Sequence, residues 1–146
     1  MSNEDIFTTI DHVAIAGADL DEAVEFFTKQ LGWYELHRET NEQQKVHEAM
    51  MAPVKDWNIL QTRVQLIAPA SEESTVAKWL EKNPRGGLHH VAYRVEDIDA
   101  TLALLTERGF ELIDKTPRRG TANSKIAFVN PKSARGVLTE IVELAK

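Results

Sequence analysis

The chain has 146 residues, with 17 basic and 23 acidic side chains for a formal net charge of -6, and no cysteine. This length supports one sizeable core or two small modules sharing one, not two independent catalytic domains, and 42% hydrophobic with 27% charged residues excludes a disordered chain. Disulfides, thiolate metal sites and cysteine nucleophiles are excluded too. The acidic balance and the short basic runs at 115–119 and 132–135 argue against a nucleic-acid partner. No apolar run approaches a membrane span, and Met1-Ser2-Asn3-Glu4-Asp5 has neither the basic segment nor the apolar run of an export signal, so cytoplasmic residence without a membrane partner is expected.

Residues 10–16 alternate His12, Ala14 and Ala16 with Val13 and Ile15, the period of a strand. Asp19 followed by Glu22 is a capping-box signature, and Leu20, Val24, Phe27 and Leu31 then recur at helical spacing until Gly32. Strands are expected at 33–39 and 45–51 around the polar turn 40–44, with loop at 56–58 and a further strand at 60–68 before Pro69. Ser71-Glu72-Glu73 predicts the capped, acidic start of a linker helix whose apolar stripe is Val76, Trp79 and Leu80. Residues 83–87 end it. A strand at 88–95 and a helix at 97–108 follow, with Ile98, Leu102 and Leu105 on one helix face, and then Gly109. The last strands are expected at 110–114, 124–128 and 136–142, with the basic loop 116–121 between the first two.

The second stretch repeats the first. Moving along the chain from His12 to His90 also carries Asp19 to Asp97 and Asp21 to Asp99, so one unit is written twice. Each copy reads strand, helix, strand, strand, strand. A sheet with a helix on one face leaves its other face bare, and two such sheets can line one cleft. This gives an α+β chain forming a single domain, with module one at about 10–68, a linker helix at about 71–83 and module two at about 88–143.

A lone strand histidine is more often a core or surface residue than a ligand, but His12 and His90 hold equivalent places in the repeat. The last strand of each module adds Gln65, which shares a face with Arg63 and Ile67, and Glu140, which shares one with Leu138 and Val142. Taken alone, Gln65 also reads as a surface amide and Glu140 as an edge-strand gatekeeper. Together the four offer two imidazole nitrogens and two side-chain oxygens, the donor set of an open octahedral site for cobalt, manganese, nickel, iron, magnesium or zinc. One carboxylate against a dication leaves a positive surplus that attracts an anion. Glu48 sits between Val46 and Met50 on its strand face, so it is either a carboxylate of a solvated hairpin or a buried one whose raised pKa makes it a proton acceptor. His37, His47 and His89 read as structural or surface residues. Neither a nucleotide-binding glycine loop nor a serine-histidine nucleophile pattern is present.

The paired His-Val-Ala strands, Gln65 in Gln-Leu-Ile-Ala-Pro and Glu140 in Gly-Val-Leu-Thr-Glu resemble the vicinal oxygen chelate superfamily, which includes glyoxalase I and extradiol dioxygenases. More narrowly, Leu-His-Arg-Glu from Leu36, Glu-Ala-Met-Met-Ala-Pro from Glu48, Glu-Ser-Thr-Val-Ala-Lys-Trp-Leu from Glu73, Gly-Leu-His-His from Gly87 and Asn-Pro-Lys-Ser from Asn130 are similar to the methylmalonyl-CoA epimerase family. The resemblance spans essentially the whole chain. It implies a vicinal oxygen chelate fold of two tandem βαβββ modules whose mixed sheets form one metal-binding cleft. It implies His12, Gln65, His90 and Glu140 as metal ligands, with Glu48 and Glu140 exchanging protons at C2 of an acyl-CoA substrate. It also implies cobalt as a frequent ion and a homodimer. The alternatives are a glyoxalase or dioxygenase of the same fold, and a drug-binding resistance protein that turns nothing over.

Overall fold

The computed structural model describes residues 6–146, which divide into two compact units, His12–His89 and residues 6–11 with 90–146. The first half of the chain runs β1 (Phe7–Ala16), α1 (Leu20–Glu25), β2 (Tyr34–Asn41), β3 (Val46–Ala52), β4 (Val64–Pro69) and the linker helix α2 (Thr75–Lys82). The second runs β5 (Gly87–Val95), α3 (Ile98–Glu107), β6 (Arg118–Arg119), β7 (Lys125–Val129) and β8 (Thr139–Glu143). Strand order is β2-β3-β4-β1 in the first half and β6-β7-β8-β5 in the second. In each, the first and last strands pair in parallel and the other pairings are antiparallel. The α+β repeat expected from the sequence is therefore repeated in topology.

Alternation divides each sheet into a helix-covered face and an opposite face. In the first half Ala49, Met51 and Leu66 pack on Val24 and Phe27. In the second, Ile98, Leu102 and Leu105 of α3 pack on Ala127, Val129 and Ile141. Each large side chain so buried contributes about 1.5–3 kcal/mol of transfer free energy. Asp19 and Asp97 cap the two helices in the same way, accepting from Glu22 N at 3.1 Å and Ala100 N at 3.0 Å. Among the described residues no helix is long and apolar enough to cross a membrane.

Four local expectations are corrected. The first helix widens into a π-turn at Phe26–Gln30, and the extra residue rotates Leu31 off the apolar stripe and into solvent. Residues 60–63 precede β4 as loop, because the Gln61 side chain bonds Val54 N, Val54 O and Asp56 O at 2.8–2.9 Å and pins the chain there. The linker helix starts one turn late, with Ser74 Oγ accepting from Val76 N at 3.1 Å; Ser71 instead caps the preceding turn, and the first helical turn carries no acid. Residues 110–114 are no strand beyond a bridge from Leu112 to Val129, since the Asp114 carboxylate accepts the Phe128 amide at 2.9 Å and turns the chain away. The short edge strand β6 forms later, inside the expected basic loop.

Candidate active site

The parallel pairs β1–β4 and β5–β8 position the histidines against their companions. Ala14 faces Gln65 and Val13 N donates to Arg63 O at 3.2 Å; Ala92 faces Glu140 and Val91 N donates to Leu138 O at 3.2 Å. Each histidine thus lies two residues before the position opposite its oxygen-bearing partner, on the same strand face as that position. Hydrogen bonding of the ladder, rather than loop length, sets this relation. The chain between the paired strands is three residues shorter in the second half, as the steps from His12 to Gln65 and from His90 to Glu140 show, yet the pairing is unchanged.

All five residues singled out from the sequence are buried: His12 at 3% exposure and Glu48, Gln65, His90 and Glu140 at 5% each. Burial removes the surface readings of Gln65, Glu48 and Glu140. In the first unit, β3 pairs antiparallel with β4 so that Glu48 lies diagonal to Gln65 on one face, and Gln65 Nε2 donates to Glu48 Oε2 at 3.3 Å. In that bond the amide nitrogen donates, and the amide oxygen is the Gln65 atom with the chemistry of a hard-metal ligand. In the second unit, His90 Nε2 stands 3.6 Å from Glu140 Oε2, and Phe128 meets the His90 ring edge to face with centroids 5.3 Å apart. The aromatic wall fixes the imidazole plane.

The donor set is chemically coherent. In each unit a buried imidazole stands beside a strand that bears an oxygen donor, Gln65 in the first and Glu140 in the second, and nitrogen and oxygen donors without sulfur match a borderline or hard divalent ion. Buried charge is tolerated only when paired or coordinated, which a dication beside Glu140 satisfies.

Two features were not read from the sequence. Glu39 of β2 lies directly opposite Glu48, and His37 Nε2 is 2.5 Å from Glu39 Oε2. The His37 ring in turn touches that of Trp57, with centroids 5.8 Å apart, and the guanidinium of buried Arg63 lies 4.2 Å over the same indole while bonding Trp57 O. Arg63 thus sits buried in the loop that leads into β4, two residues before Gln65. The remaining histidines make local contacts. His89 stands edge-on to Trp79 with its pKa pushed down by burial, and exposed His47 bonds Thr40 Oγ1 at 2.7 Å.

The repeated mixed sheets are those of the vicinal oxygen chelate fold, and residues 11–128 match the glyoxalase/bleomycin resistance protein/dioxygenase superfamily, to which the chain belongs. Within that superfamily its solved relatives include a methylmalonyl-CoA epimerase that is 52% identical, with a TM-score of 0.93 and coverage of 99% of this chain and 100% of the other. A Streptomyces coelicolor methylmalonyl-CoA epimerase variant in complex with 2-nitronate-propionyl-CoA is 42% identical, with a TM-score of 0.88 over 95% of this chain and 96% of that one. The ethylmalonyl-CoA/methylmalonyl-CoA epimerase of Cereibacter sphaeroides is 32% identical over 92% of this chain and 97% of its own length.

Proposed function

We propose that the chain is an epimerase that interconverts the (R) and (S) stereoisomers of methylmalonyl-CoA by proton exchange at C2, with a divalent ion held by His12, Gln65, His90 and Glu140. The observation that carries this reading is the buried Glu48 carboxylate, one hydrogen bond from the amide of Gln65. Such a group is a proton acceptor placed beside a ligand side chain. The similarity to epimerases, including one in complex with 2-nitronate-propionyl-CoA, supports an acyl-CoA thioester as the substrate class.

C2 of this substrate lies between a thioester carbonyl and a carboxylate, so loss of its proton gives an enolate with charge on the thioester oxygen. A divalent ion held by His12, Gln65, His90 and Glu140 would supply Lewis-acid stabilisation of that developing charge. Gln65 orients Glu48, because its amide nitrogen fixes one carboxylate oxygen while its own oxygen serves as ligand. Inversion requires removal from one face of C2 and delivery to the other, and Glu48 and Glu140, supplied by different halves of the chain, take these roles. Both carboxyl groups gain and lose protons, and no redox cofactor is needed. The reading includes cobalt as the resident ion, a homodimer, a single domain over 1–146 and cytoplasmic residence.

The test follows one stereoisomer of methylmalonyl-CoA in deuterated water with metal-stripped and metal-restored protein, reading inversion and deuterium uptake together. Both should require the divalent ion, and Glu48→Gln should lower the rate by about 10²–10⁴-fold, the usual worth of a positioned proton-transfer group. Absence of both signals from the metal-restored wild type rejects the epimerase reading.

A further inference from the structure

We infer that Met50 sets the size of the C2 substituent this chain accepts, by offering the apolar surface beside Glu48. The inference rests on the reading that brings C2 of an alkylmalonyl thioester to Glu48. A carbon that exchanges a proton with a carboxylate comes within about 3–3.5 Å of its oxygen, and the first atom of the alkyl group lies about 1.5 Å further on. The substituent is therefore held within about 5 Å of the Glu48 carboxylate, whichever way the thioester runs. An apolar group there is stabilised by apolar neighbours, and the strand register limits which side chains those are.

Val46, Glu48 and Met50 alternate onto one face of β3. Across the ladder Glu48 lies opposite Ile67 and Glu39, and Met50 lies opposite Gln65 and His37. Val46 and Ile67 are already packed, with Ala16, against Val76, Trp79 and Leu80 of α2. Gln65, Glu39 and His37 are polar. Met50 is the apolar side chain on the opposite side of Glu48 from the α2 cluster, and at 2% exposure it is as buried as the site residues themselves. Its unbranched thioether adapts to irregular space, so it closes on a methyl group and turns aside for one more carbon, but blocks a longer chain.

The second half of the chain supplies the comparison. Phe128 holds the place of Met50, opposite Glu140 as Met50 is opposite Gln65, and Ile126 holds the place of Glu48, opposite Val142 as Glu48 is opposite Ile67. There both positions are filled by apolar packing. Ile126 clusters with Ala92 and Val142, and Phe128 packs on that cluster while meeting the His90 ring edge to face. The first half has an acid where the second has isoleucine, and a flexible side chain where the second has a rigid ring. An alkyl group lying against Glu48 gives Met50 the kind of neighbour that Phe128 finds in Ile126.

The experiment measures kcat/KM for inversion of methyl-, ethyl- and butylmalonyl-CoA by the full-length, metal-loaded protein, as wild type, Met50→Leu, Met50→Val and Met50→Ala. Wild type should fall by about 10-fold or more from the ethyl to the butyl thioester, and Met50→Ala should raise the butyl-to-methyl ratio by about 10–100-fold, the range methylenes are worth in an apolar pocket. Met50→Leu nearly conserves volume and should keep that ratio within about threefold of wild type. Met50→Val should shift it part of the way, and carries the comparison if the alanine variant does not fold. A second readout is independent of turnover: excess butylmalonyl-CoA should raise the thermal midpoint of the smaller variants more than methylmalonyl-CoA does, with the order reversed in wild type. A butyl-to-methyl ratio within about twofold of wild type, in a smaller variant that still inverts methylmalonyl-CoA, would overturn the inference. Equal losses on all the thioesters would overturn it too, because they mark packing alone. A wild type that inverts none of them overturns the epimerase reading itself, and is told apart because it fails before any variant is compared.

Discussion

Gly86 closes the linker just ahead of β5, and replacing it with alanine should be among the costliest single-methyl additions in the chain. Its φ is +73°, and a Cβ built there would lie 2.3 Å from Ala16 O, 3.3 Å from Ala16 C and 3.4 Å from Gly17 Cα. All three are backbone atoms, so no side-chain rotation relieves the overlap. The left-handed conformation alone costs a non-glycine residue about 1–2 kcal/mol. Relief of the clash must move the end of β1 away from β4, where Gly17 N donates to Ile67 O at 3.0 Å, for about 1 kcal/mol more plus lost packing. Gly86→Ala should therefore destabilise by about 3–4 kcal/mol, against about 1 kcal/mol for Gly32→Ala, where φ is +71° and nothing lies within 4 Å. In urea, with a slope near 2 kcal/mol/M, the two midpoints should separate by about 1–1.5 M. Coincident midpoints would refute the claim that the backbone contact, rather than the dihedral angle, makes this glycine necessary.

The hairpin joining β6 to β7 turns through Ala122 and Asn123, both at positive φ, with Ser124 N bonded to Thr121 O at 3.0 Å, a type I′ arrangement that alanine fits poorly. Ala122→Asn should raise stability by about 0.5–1 kcal/mol in a denaturant titration. The hydrogen bond from Lys45 holds exposed Glu73 below the usual glutamate pKa, and a depressed carboxylate contributes stability that is lost as pH falls through its folded pKa. The thermal midpoint difference between wild type and Glu73→Gln should accordingly be small but constant near neutrality and vanish below the ordinary glutamate range; a difference that persists in acid would contradict the pairing. Saturating divalent metal at about 1,000 times its dissociation constant should stabilise the stripped protein by about 4 kcal/mol in a thermal scan, and His90→Ala should remove most of that response.

The amount of the site that was legible in the sequence follows from which interactions set each position. His12 and His90 were legible because strand and helix signals recur around them at one spacing, and Gln65 and Glu140 because they hold the same place in the closing strand of each repeat. Glu48 was legible as an acid between Val46 and Met50. The Glu39–His37 pair was not. Strict alternation puts Glu35, His37 and Glu39 on one face, whereas the register slips between Glu35 and His37, so that Glu35 pairs with Met51 and His37 with Met50. That slip, and the turn at Lys45 with φ of +56°, decide which β2 side chains meet Glu48, and neither has a local composition signal. Asp114 misled for a similar reason: a side chain that takes a ladder amide ends strand pairing where hydrophobic pattern continues it.

The shorter second half has a consequence for how this architecture can be altered. Three residues separate the two halves in the length of chain between paired strands, yet the donor positions coincide. Length is therefore a free variable in the hairpins and a forbidden one inside the ladders. Residues spliced into the β6–β7 hairpin should leave the chemistry intact, while a single residue inserted between Arg63 and Gln65 would throw the amide onto the helix-covered side, as a frameshift displaces every codon beyond it.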